Sequence, residues 1–409
     1  MAIKAGQILH VGNDSVVIDR IQTAGPGNLN IPTEKIYELG NYKSVATIRD
    51  VPDLAFAMDS LDTTCEIEAL LLGVSAASQP SFDLSEALPL NIASQFKAGK
   101  DTASPFAIVD SVGLPFLVLE SVGYRFGLRD NATQSVSLRG DSIFYNPGST
   151  YVDSVAGTGA TGQTIATEHP AYAYAGDGET RRVLAVTAGS KRMVPDVDYS
   201  ETAGAVAGGA ATATITLKTA VPAGTQVRVM YASPTVRVYP QNVHPDVLIK
   251  PAAVRGKDID IYVGGYDPSD LPGSADNRWG SVQSVSADYR VTLEKDEEFG
   301  NYYAVSNDFD TPAVTGSVDV KPTDPAQMMR FIRQVAGVSS ATQVVGPNSS
   351  VALPLDVVIK NGLDGSTLKR LHVPDARFTI PGFSGRANTR LTQTLNFESD
   401  EGSLVVFKE

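Results

Sequence analysis

The residues that could carry out chemistry in this chain of 409 residues are few, and the most suggestive of them are glycines. The segment Gly157–Gly162, GTGATG, matches the GxGxxG pattern of dinucleotide-binding turns. Such a turn joins a strand to a helix, because the helix N-terminus must meet the pyrophosphate. The residues that follow here contain Pro170 and have no helical periodicity. The sequence therefore predicts a flexible linker at Gly148–Thr164, and an enzyme that uses this segment is only an alternative.

Metal-binding patterns are weak as well. Asp267, Asp270 and Asp276 lie in one Gly/Pro-rich segment and offer the oxygen ligands that calcium prefers, but their spacing matches no EF-hand. Cys65 is the only cysteine, which excludes a disulfide framework and a cysteine-based zinc site. The four histidines, none of them in an HExxH arrangement, are His10, His169, His244 and His372. We therefore expect no catalytic residue, no metal site and no cofactor.

Three aromatic residues support a carbohydrate-binding alternative. Tyr172, Tyr174 and Trp279 carry rings that could stack on sugars in an adhesin or receptor-binding protein. Trp279 follows Arg278 in a polar segment, where the simpler interpretation is a side chain that anchors its loop. A carbohydrate-binding function is therefore kept as a less favoured alternative from another class.

The distribution of charge is uneven along the chain. The net charge is −13, yet residues 163–243 contain seven Lys/Arg and six Asp/Glu, a net charge of +1, which leaves −14 for the rest. A chain this acidic is poorly suited to gripping nucleic acid, because phosphate binding requires clustered Lys and Arg. No apolar segment is long enough to predict a membrane span or a secretory signal, so we expect a protein made in the cytoplasm.

A repeated segment organises the rest of the sequence. ELGNYKSVATIRDVP (Glu38–Pro52) returns as EFGNYYAVSNDFDTP (Glu298–Pro312) with seven of fifteen positions identical. A second repeat, Gly123–Asp141 and Gly382–Asp400, follows with an offset that is one residue smaller. The repeat signature is Glu38, Gly40, Asn41, Tyr42 and Pro52, with Glu298, Gly300, Asn301, Tyr302 and Pro312. Two echoes at nearly the same offset predict that one unit occurs twice.

The repeated segments predict the same local structures. Lys43–Arg49 and Leu54–Asp59 both alternate, and Asp50–Asp53 lies between them, which predicts a β-hairpin with one buried face. A capping box then predicts a short helix ending near Gly73 in the first copy. The corresponding helix of the second copy begins after Thr323 or Asp324, with Pro325 in its first turn, and ends at Gly337. The capping box of the first helix is Thr63 and Glu66.

The fold class expected from these patterns is mainly β. Two copies of a β-sandwich or barrel unit, each with a flanking short α-helix, are predicted at residues 1–162 and 244–409. Between them, residues 163–243 form short strands separated by Gly and Pro turns, which predicts an inserted immunoglobulin-like β-sandwich.

This order of features resembles the tail tube (major tail) proteins of long-tailed bacteriophages. The resemblance rests on the ElGNY…D.P segment, the hairpin, the capped helix and the closing strands, and it covers about two thirds of the chain. It implies a structural virion protein that polymerises into stacked rings around a channel for DNA during ejection. Two folds per chain imply homotrimeric, pseudo-hexameric rings, with the inserted domain projecting outward.

The resemblance also implies partners and candidate residues. Partners would be further copies of the chain and other tail proteins, namely the tape measure, terminator and distal tail proteins. Double-stranded DNA would pass through an acidic lumen without specific binding. The candidate carboxylates that face the channel or the next ring are Asp50, Asp53, Asp59, Asp310 and Asp319. The main alternative is another phage structural protein, such as a baseplate or capsid-decorating component.

Overall fold

The computed structural model of the chain has a mainly β fold, as predicted, with thirty-two strands and two α-helices in its described residues. The described residues are 8–11, 21–26, 29–31, 33–36, 46–49, 52–61, 64–74, 79–97, 106–176, 179–204, 209–239, 254–267, 277–296, 306–309, 311–322, 325–339, 342, 344–346, 349–362, 364–379 and 392–408.

Residues 8–147, here called the first half, contribute ten strands and one α-helix to the described part of the chain. Their bounds are Ile8–Val11 (β1), Ile21–Pro26 (β2), Thr33–Ile36 (β3), Ala46–Arg49 (β4), Leu54–Ser60 (β5), Glu66–Leu72 (α1), Ser81–Asp83 (β6), Leu90–Lys97 (β7), Phe106–Gly127 (β8), Thr133–Gly140 (β9) and Phe144–Pro147 (β10).

Residues 149–239 follow as a run of shorter strands. Their bounds are Ser149–Ala156 (β11), Thr164–Ala166 (β12), Ala171–Tyr172 (β13), Tyr174–Gly176 (β14), Glu179–Arg181 (β15), Val183–Ala188 (β16), Lys191–Arg192 (β17), Tyr199–Ala203 (β18), Ala210–Ala211 (β19), Ala213–Leu217 (β20), Gln226–Ser233 (β21) and Val238–Tyr239 (β22). The part from β11 to β21 is here called the central segment.

Residues 254–408, here called the second half, repeat the pattern of the first. Their elements are Ile259–Val263 (β23), Arg278–Trp279 (β24), Val282–Arg290 (β25), Leu293–Asp296 (β26), Ser306–Phe309 (β27), Ala313–Val320 (β28), Pro325–Val335 (α2), Ala352–Lys360 (β29), Thr367–Phe378 (β30), Gln393–Ser399 (β31) and Val405–Lys408 (β32). Two short 3₁₀ helices, Leu84–Glu86 and Gly256–Asp258, complete the described elements.

The strands of the two halves pair in the same register. Thr33 faces Arg49 in β3–β4, and Leu293 faces Phe309 in β26–β27, with both partners 260 positions later. The pairs β2–β5 and β25–β28 share a bulge at their first residue, and β7–β8 and β29–β30 share a bulge near each end. Four further pairs correspond as well. The pair β5–β9 matches β28–β31, and β8–β9 matches β30–β31. The pair β1–β7 matches β23–β29, and β8–β10 matches β30–β32. Because a slip of one residue would turn every side chain to the wrong face, this agreement supports the hypothesis of one repeated unit.

Each half is built as two layers joined by one long strand. The N-terminal part of β8 pairs with β7 and β10 in an outer sheet, while its C-terminal part pairs with β9 in an inner sheet. Pro115 and Phe116 form a bulge in the β7 pairing just before the β9 pairing begins at Val118, and Phe116 has a positive φ of 53°. β30 changes sheet in the same way around Pro374, next to a bulge in its pairing with β29. A proline tolerates such a corner because no ladder hydrogen bond is needed from its nitrogen there.

The predicted hairpin of Lys43–Arg49 with Leu54–Asp59 is wrong. β4 pairs with β3, whereas β5 pairs with β2 and β9. Asn30 and Asp53 exchange backbone hydrogen bonds of 2.8 and 2.7 Å between these two pairings, so β2–β3 and β4–β5 are the two arms of one longer hairpin. Alternation within a strand predicts its buried face but carries no information about which strand lies beside it.

The two predicted helices are present, with one difference at an N-terminus. α1 begins at Glu66, with Cys65 rather than the predicted Thr63 at the N-cap and no side-chain cap from Cys65. Thr63 lies outside the described residues, as do Thr323 and Asp324. Both helices end as predicted at a left-handed glycine, Gly73 with φ of 66° and Gly337 with φ of 67°.

The central segment is a β-sandwich that starts earlier than predicted. β11-β21-β16-β17 and β12-β20-β18 form two antiparallel sheets, and both contribute to one apolar core. The expected linker Gly148–Thr164 is therefore wrong over most of its length, because β11 pairs with β21 along eight residues. At the other end β22 pairs with β8 of the first half. The predicted boundaries at residues 162 and 243 thus fall inside, and after, the sandwich respectively.

One apolar core joins the two halves. It contains the buried side chains of α1, α2 and both inner sheets. The halves are also hydrogen-bonded edge to edge, because β8 pairs with β25 and β32 pairs with β6. The central segment packs on the first half through a buried ion pair of 2.6 Å between Arg192 and Asp141. In the described part of the chain, neither helix has the length and apolar character needed to cross a membrane.

Candidate functional site

The inner sheets of the two halves join into a single antiparallel sheet of eight strands. Successive pairings give the order β2-β5-β9-β8-β25-β28-β31-β30. Since the registers make β25, β28, β31 and β30 the counterparts of β2, β5, β9 and β8, the same four-strand pattern occurs twice in tandem. The contact in the middle, β8 with β25, therefore joins the last strand of one pattern to the first strand of the next.

The two faces of this sheet differ sharply in character. In β5 the side chains of Leu54, Phe56 and Met58 are buried in the core, while those of Ala55, Ala57 and Asp59 are exposed. The other strands alternate in the same way, and the exposed side, here called the open face, carries Gly, Ala, Ser, Thr, Asn and a few charged residues. One row crosses seven of the strands as Thr23, Asp59, Ser135, Gly123, Asp288, Thr315 and Glu398.

Two of the predicted carboxylates occupy matching positions on the open face. Thr23 Oγ1 donates to Asp59 Oδ2 at 2.6 Å from the strand beside it. In the second half Ser284, the counterpart of Thr23, donates from its hydroxyl to Asp319, and Thr394 Oγ1 donates to Asp319 Oδ1 at 2.5 Å. Hydrogen bonds from neighbouring hydroxyl groups fix the position of each of these two carboxylates on the open face.

The remaining predicted carboxylates are not brought together with these two. Asp53 is half-buried at the bridge to Asn30, and its Oδ1 lies 3.7 Å from Arg139 Nε. Asp50 and Asp310 lie outside the described residues, as do all the signature residues except Pro52 and Pro312. In sequence, Glu38–Tyr42 fall between β3 and β4 and Glu298–Tyr302 between β26 and β27, whereas Pro52 and Pro312 shortly precede β5 and β28.

The open face is close to electrically balanced. On its paired strands the described residues include four carboxylates and four guanidinium groups. Arg125 Nη2 lies 3.1 Å from Asp288 Oδ1 across the β8–β25 contact, where Gly123 leaves room for the carboxylate. The charged residues are Asp59, Asp288, Asp319, Glu398, Arg125, Arg139, Arg290 and Arg377. These strands therefore carry little net charge on the open face.

A buried ion pair that the sequence did not indicate locks the two halves together. Lys369 Nζ of β30 lies 2.5 Å from Glu68 Oε1 of α1, and both side chains are almost fully buried. Tyr124 Oη donates to the same oxygen at 2.5 Å, and Gln134 Nε2 donates to it at 2.9 Å. Lys369 also donates to Thr64 O at 3.1 Å. The residues are far apart in the chain, so sequence spacing could not indicate the pair. One feature of the sequence could have done so, namely that Lys369 occupies a position of β30 where the alternation predicts a buried side chain.

The residues considered for nucleotide binding and for sugar binding lie in surroundings that do not support those two functions. A strand, β12, follows Gly157–Gly162, so the helix that a dinucleotide needs is absent from the segment next to it. Trp279 is 4% exposed, donates from Nε1 to Gln334 Oε1 at 2.8 Å and packs on Phe331, so it is not free to stack on a sugar. Tyr174 meets Phe144 edge to face at 5.3 Å.

No metal site forms within the described ranges, where no three His, Cys, Asp or Glu side chains come together. Asp267 is described, whereas Asp270 and Asp276 are outside the described residues. His372 Nδ1 lies 2.8 Å from Asp356 Oδ1, which Arg370 Nη1 also contacts at 2.9 Å, so this histidine belongs to a local ion-pair cluster. Cys65 is a buried free cysteine, and burial in apolar surroundings keeps a thiol unreactive.

No protein-family model matches the sequence, and no curated protein matches it at a significant level. Function is therefore inferred from the tandem sheet, its open face and its edges.

Proposed function

We propose that this protein is a structural virion protein that polymerises into stacked rings and forms the tail tube of a long-tailed bacteriophage. The observation that carries the proposal is the tandem order of the eight-stranded sheet. The contact between β8 and β25 joins the end of one four-strand pattern to the start of the next, and it occurs once among the described residues. The same contact between copies would join the second half of one chain to the first half of another.

One edge needed for this contact, that of β2, carries no strand among the described residues. Within the described part of the chain β2, the counterpart of β25, pairs with β5 on one side and with no strand on the other. An unpaired edge is a template for pairing with another chain, and soluble proteins normally cover or interrupt it. Head-to-tail contacts of this kind generate closed rings when the rotation per chain closes. Ring closure would therefore leave no edge of the inner sheet exposed.

A ring of three chains has dimensions suited to a DNA channel. Three copies bring about twenty-four strands, which at a spacing of about 4.8 Å and a tilt of about 40° enclose a backbone cylinder roughly 45–50 Å across. Inward side chains on both walls reduce the lumen to about 35–40 Å. Three chains with two patterns each would give the pseudo-six-fold symmetry that the resemblance implies.

The open face suits a surface along which DNA moves without being held. Most of its side chains are short, three of its hydroxyls are hydrogen-bonded to Asp59 and Asp319, and the carboxylates and guanidinium groups on its paired strands are equal in number. Tight phosphate binding depends on clustered Lys and Arg, and each extra contact makes it stronger. A near-neutral wall of Ser, Thr and Ala offers no such cluster. The proposed channel is thus close to neutral on its described strands, and its partners are copies of the chain, other tail proteins and transiently DNA.

Negative-stain electron microscopy of the purified protein, with averaged end-on views, tests the proposal. Annular particles or tubes built from three chains, with six-fold-like features around the lumen, are the expected result. Because tail assembly is often nucleated, the sample is also incubated at high concentration and with purified tail-tip complexes. A discrete oligomer without a central channel under all these conditions would contradict the proposal. Rings that never stack would favour the alternative of a baseplate or decorating component.

A further inference from the structure

A second contact joins the two halves on the outer layer, and it too occurs once in the part of the chain that the structure describes. β32 of the second half pairs along its outer edge with β6 of the first half. Val406 faces Phe82 in this pairing, and both side chains are fully buried. β6 belongs to the segment between α1 and β7, so the contact places the outer sheet of one half against the segment that follows the helix of the other.

The counterparts of both partners are exposed in the single chain. β10 is the counterpart of β32, because it pairs with β8 in the register in which β32 pairs with β30. Tyr145 stands at the position of Val406 and is 78% exposed, and within the described residues β10 pairs only with β8. The segment between α2 and β29 contains Val344, which is 88% exposed. These two are the most exposed large apolar side chains among the described residues.

The charges at the two places are reversed in sign. α1 carries Glu66 and Glu68 and no basic residue, and Lys369 of the second half pairs with it. The charged residues of α2 are Arg330 and Arg333. The counterpart of Lys369, by its register opposite β7, is the exposed residue Asp110. An acidic helix thus faces a lysine within the chain, while a basic helix would face an aspartate between chains.

We propose that β10 of one copy receives residues 344–346 of a second copy of this chain, so that Tyr145 and Val344 become buried and Asp110 faces α2. This proposal rests on the proposed ring. A second copy is the fitting occupant because the chain already makes the same contact between its own halves, with the same elements. The reversed charges favour a first half beside a second half and disfavour like beside like, since equal charges would then meet.

Cysteine cross-linking tests the contact directly. Cys65→Ser removes the only native thiol and places a preferred N-cap residue at the start of α1. In this background Tyr145→Cys and Val344→Cys are combined, the protein is assembled, and mild oxidation or a short bismaleimide links neighbouring thiols. We expect a ladder of covalent multimers that ends at the ring size. Mixing the two single variants should give dimers only, and each single variant alone should give none.

The matched control replaces Tyr145→Cys with Val197→Cys, at a 68% exposed position in the central segment. This pair should give no ladder. Rings in the microscope without a ladder from the Tyr145–Val344 pair would overturn the proposed contact and leave the proposed function standing. The absence of both rings and ladder under every assembly condition would overturn both.

A charge variant tests the reversed polarity. Asp110→Lys should raise the protein concentration needed for assembly at least tenfold at low salt, because it places like charges at the contact. The control Glu168→Lys makes the same change of net charge at an exposed site of the central segment and should assemble like the parent. Equal assembly of the two variants would overturn the electrostatic part of the proposal.

Discussion

Single residues decide how firmly the two halves hold together, and the clearest case is the ion pair of Glu68 and Lys369. Removing one partner of a buried pair leaves the other charge without compensation. We expect Lys369→Met to lower the free energy of unfolding by about 3–5 kcal/mol. The double variant Lys369→Met/Glu68→Gln should lose clearly less, since no buried charge then remains. Urea denaturation followed by tryptophan fluorescence and circular dichroism measures both; equal losses would mean that the pair acts through packing and not through charge.

A buried carboxyl in the central segment predicts a pH effect at the same scale. Burial raises the pKa of Glu201 above its ordinary value, although its Oε1 accepts a hydrogen bond of 2.7 Å from the Arg182 backbone. A raised pKa means that the folded state binds the proton more tightly than the unfolded state. This contribution to stability is fully present below the ordinary pKa of glutamate and is lost as the pH rises through the raised value.

Glu201→Gln removes that contribution while keeping an acceptor for the Arg182 N–H. We therefore expect the stability difference between variant and parent to shift in favour of the variant as the pH increases from about 4 to 7. Thermal unfolding at a series of pH values, compared as differences between the two proteins, measures this. A difference that stays constant with pH would show that the carboxyl does not titrate as its burial requires.

At the scale of elements, the two inner sheets fill equivalent positions of the core with side chains of different size. Phe56 faces Leu138 in β5–β9, while the counterparts in β28–β31 are Gly316 and Phe397. A Cβ on Gly316 would lie 2.1 Å from Ser286 O and 2.4 Å from Phe397 Cζ, so the phenylalanine ring fills the space that the glycine leaves. The repeated register is thus preserved although the residues at these positions differ.

This exchange predicts different sensitivities to one methyl group. Gly316→Ala should cost about 3 kcal/mol, because the backbone carbonyl beside it cannot move without breaking the β25–β28 pairing. Gly25→Ala, in the counterpart strand of β25, meets nothing within 4 Å and should change stability by less than about 0.5 kcal/mol. Chemical denaturation of both variants checks the contrast. Similar values for the two would show that the ladder at Gly316 is looser than its contacts indicate.

At the scale of the whole molecule, the open face of the assembled tube should respond to charge. Asp59→Lys with Asp319→Lys would place two cations in every chain on the proposed lumen, six in a ring of three. Because phosphate contacts by Lys and Arg dominate DNA binding, we expect variant tubes to retain duplex DNA at low salt and to release it as salt increases. Ejection from particles that carry the variant tube should slow accordingly.

The control for this prediction is Glu168→Lys with Asp364→Lys, two exposed carboxylates away from the open face. These tubes carry the same net charge and should retain no more DNA than the parent tubes. Equal retention by the two variants would argue against a lumenal position of Asp59 and Asp319 and would leave the ring itself untouched.

Local patterns in the sequence determined the β class, the two helices with their terminal glycines, and the offset at which one pattern returns. These features depend on residues close together in the chain, such as the alternation of Leu54, Phe56 and Met58 with smaller residues. The repeat was visible because seven of fifteen residues are identical between Glu38–Pro52 and Glu298–Pro312. The central strands were also predictable, because Gly and Pro mark their ends.

Only the tertiary structure decided which strands lie side by side, and with that the site. The β2–β5 arm, the β8–β25 contact and the Glu68–Lys369 pair each join residues that are distant in sequence, and such pairing leaves no periodic trace in either partner. The same holds for Asp59 and Asp319, whose shared setting depends on hydroxyls from neighbouring strands. Sequence spacing determines which way a side chain points along its own strand, whereas the chain's long-range contacts determine what it meets.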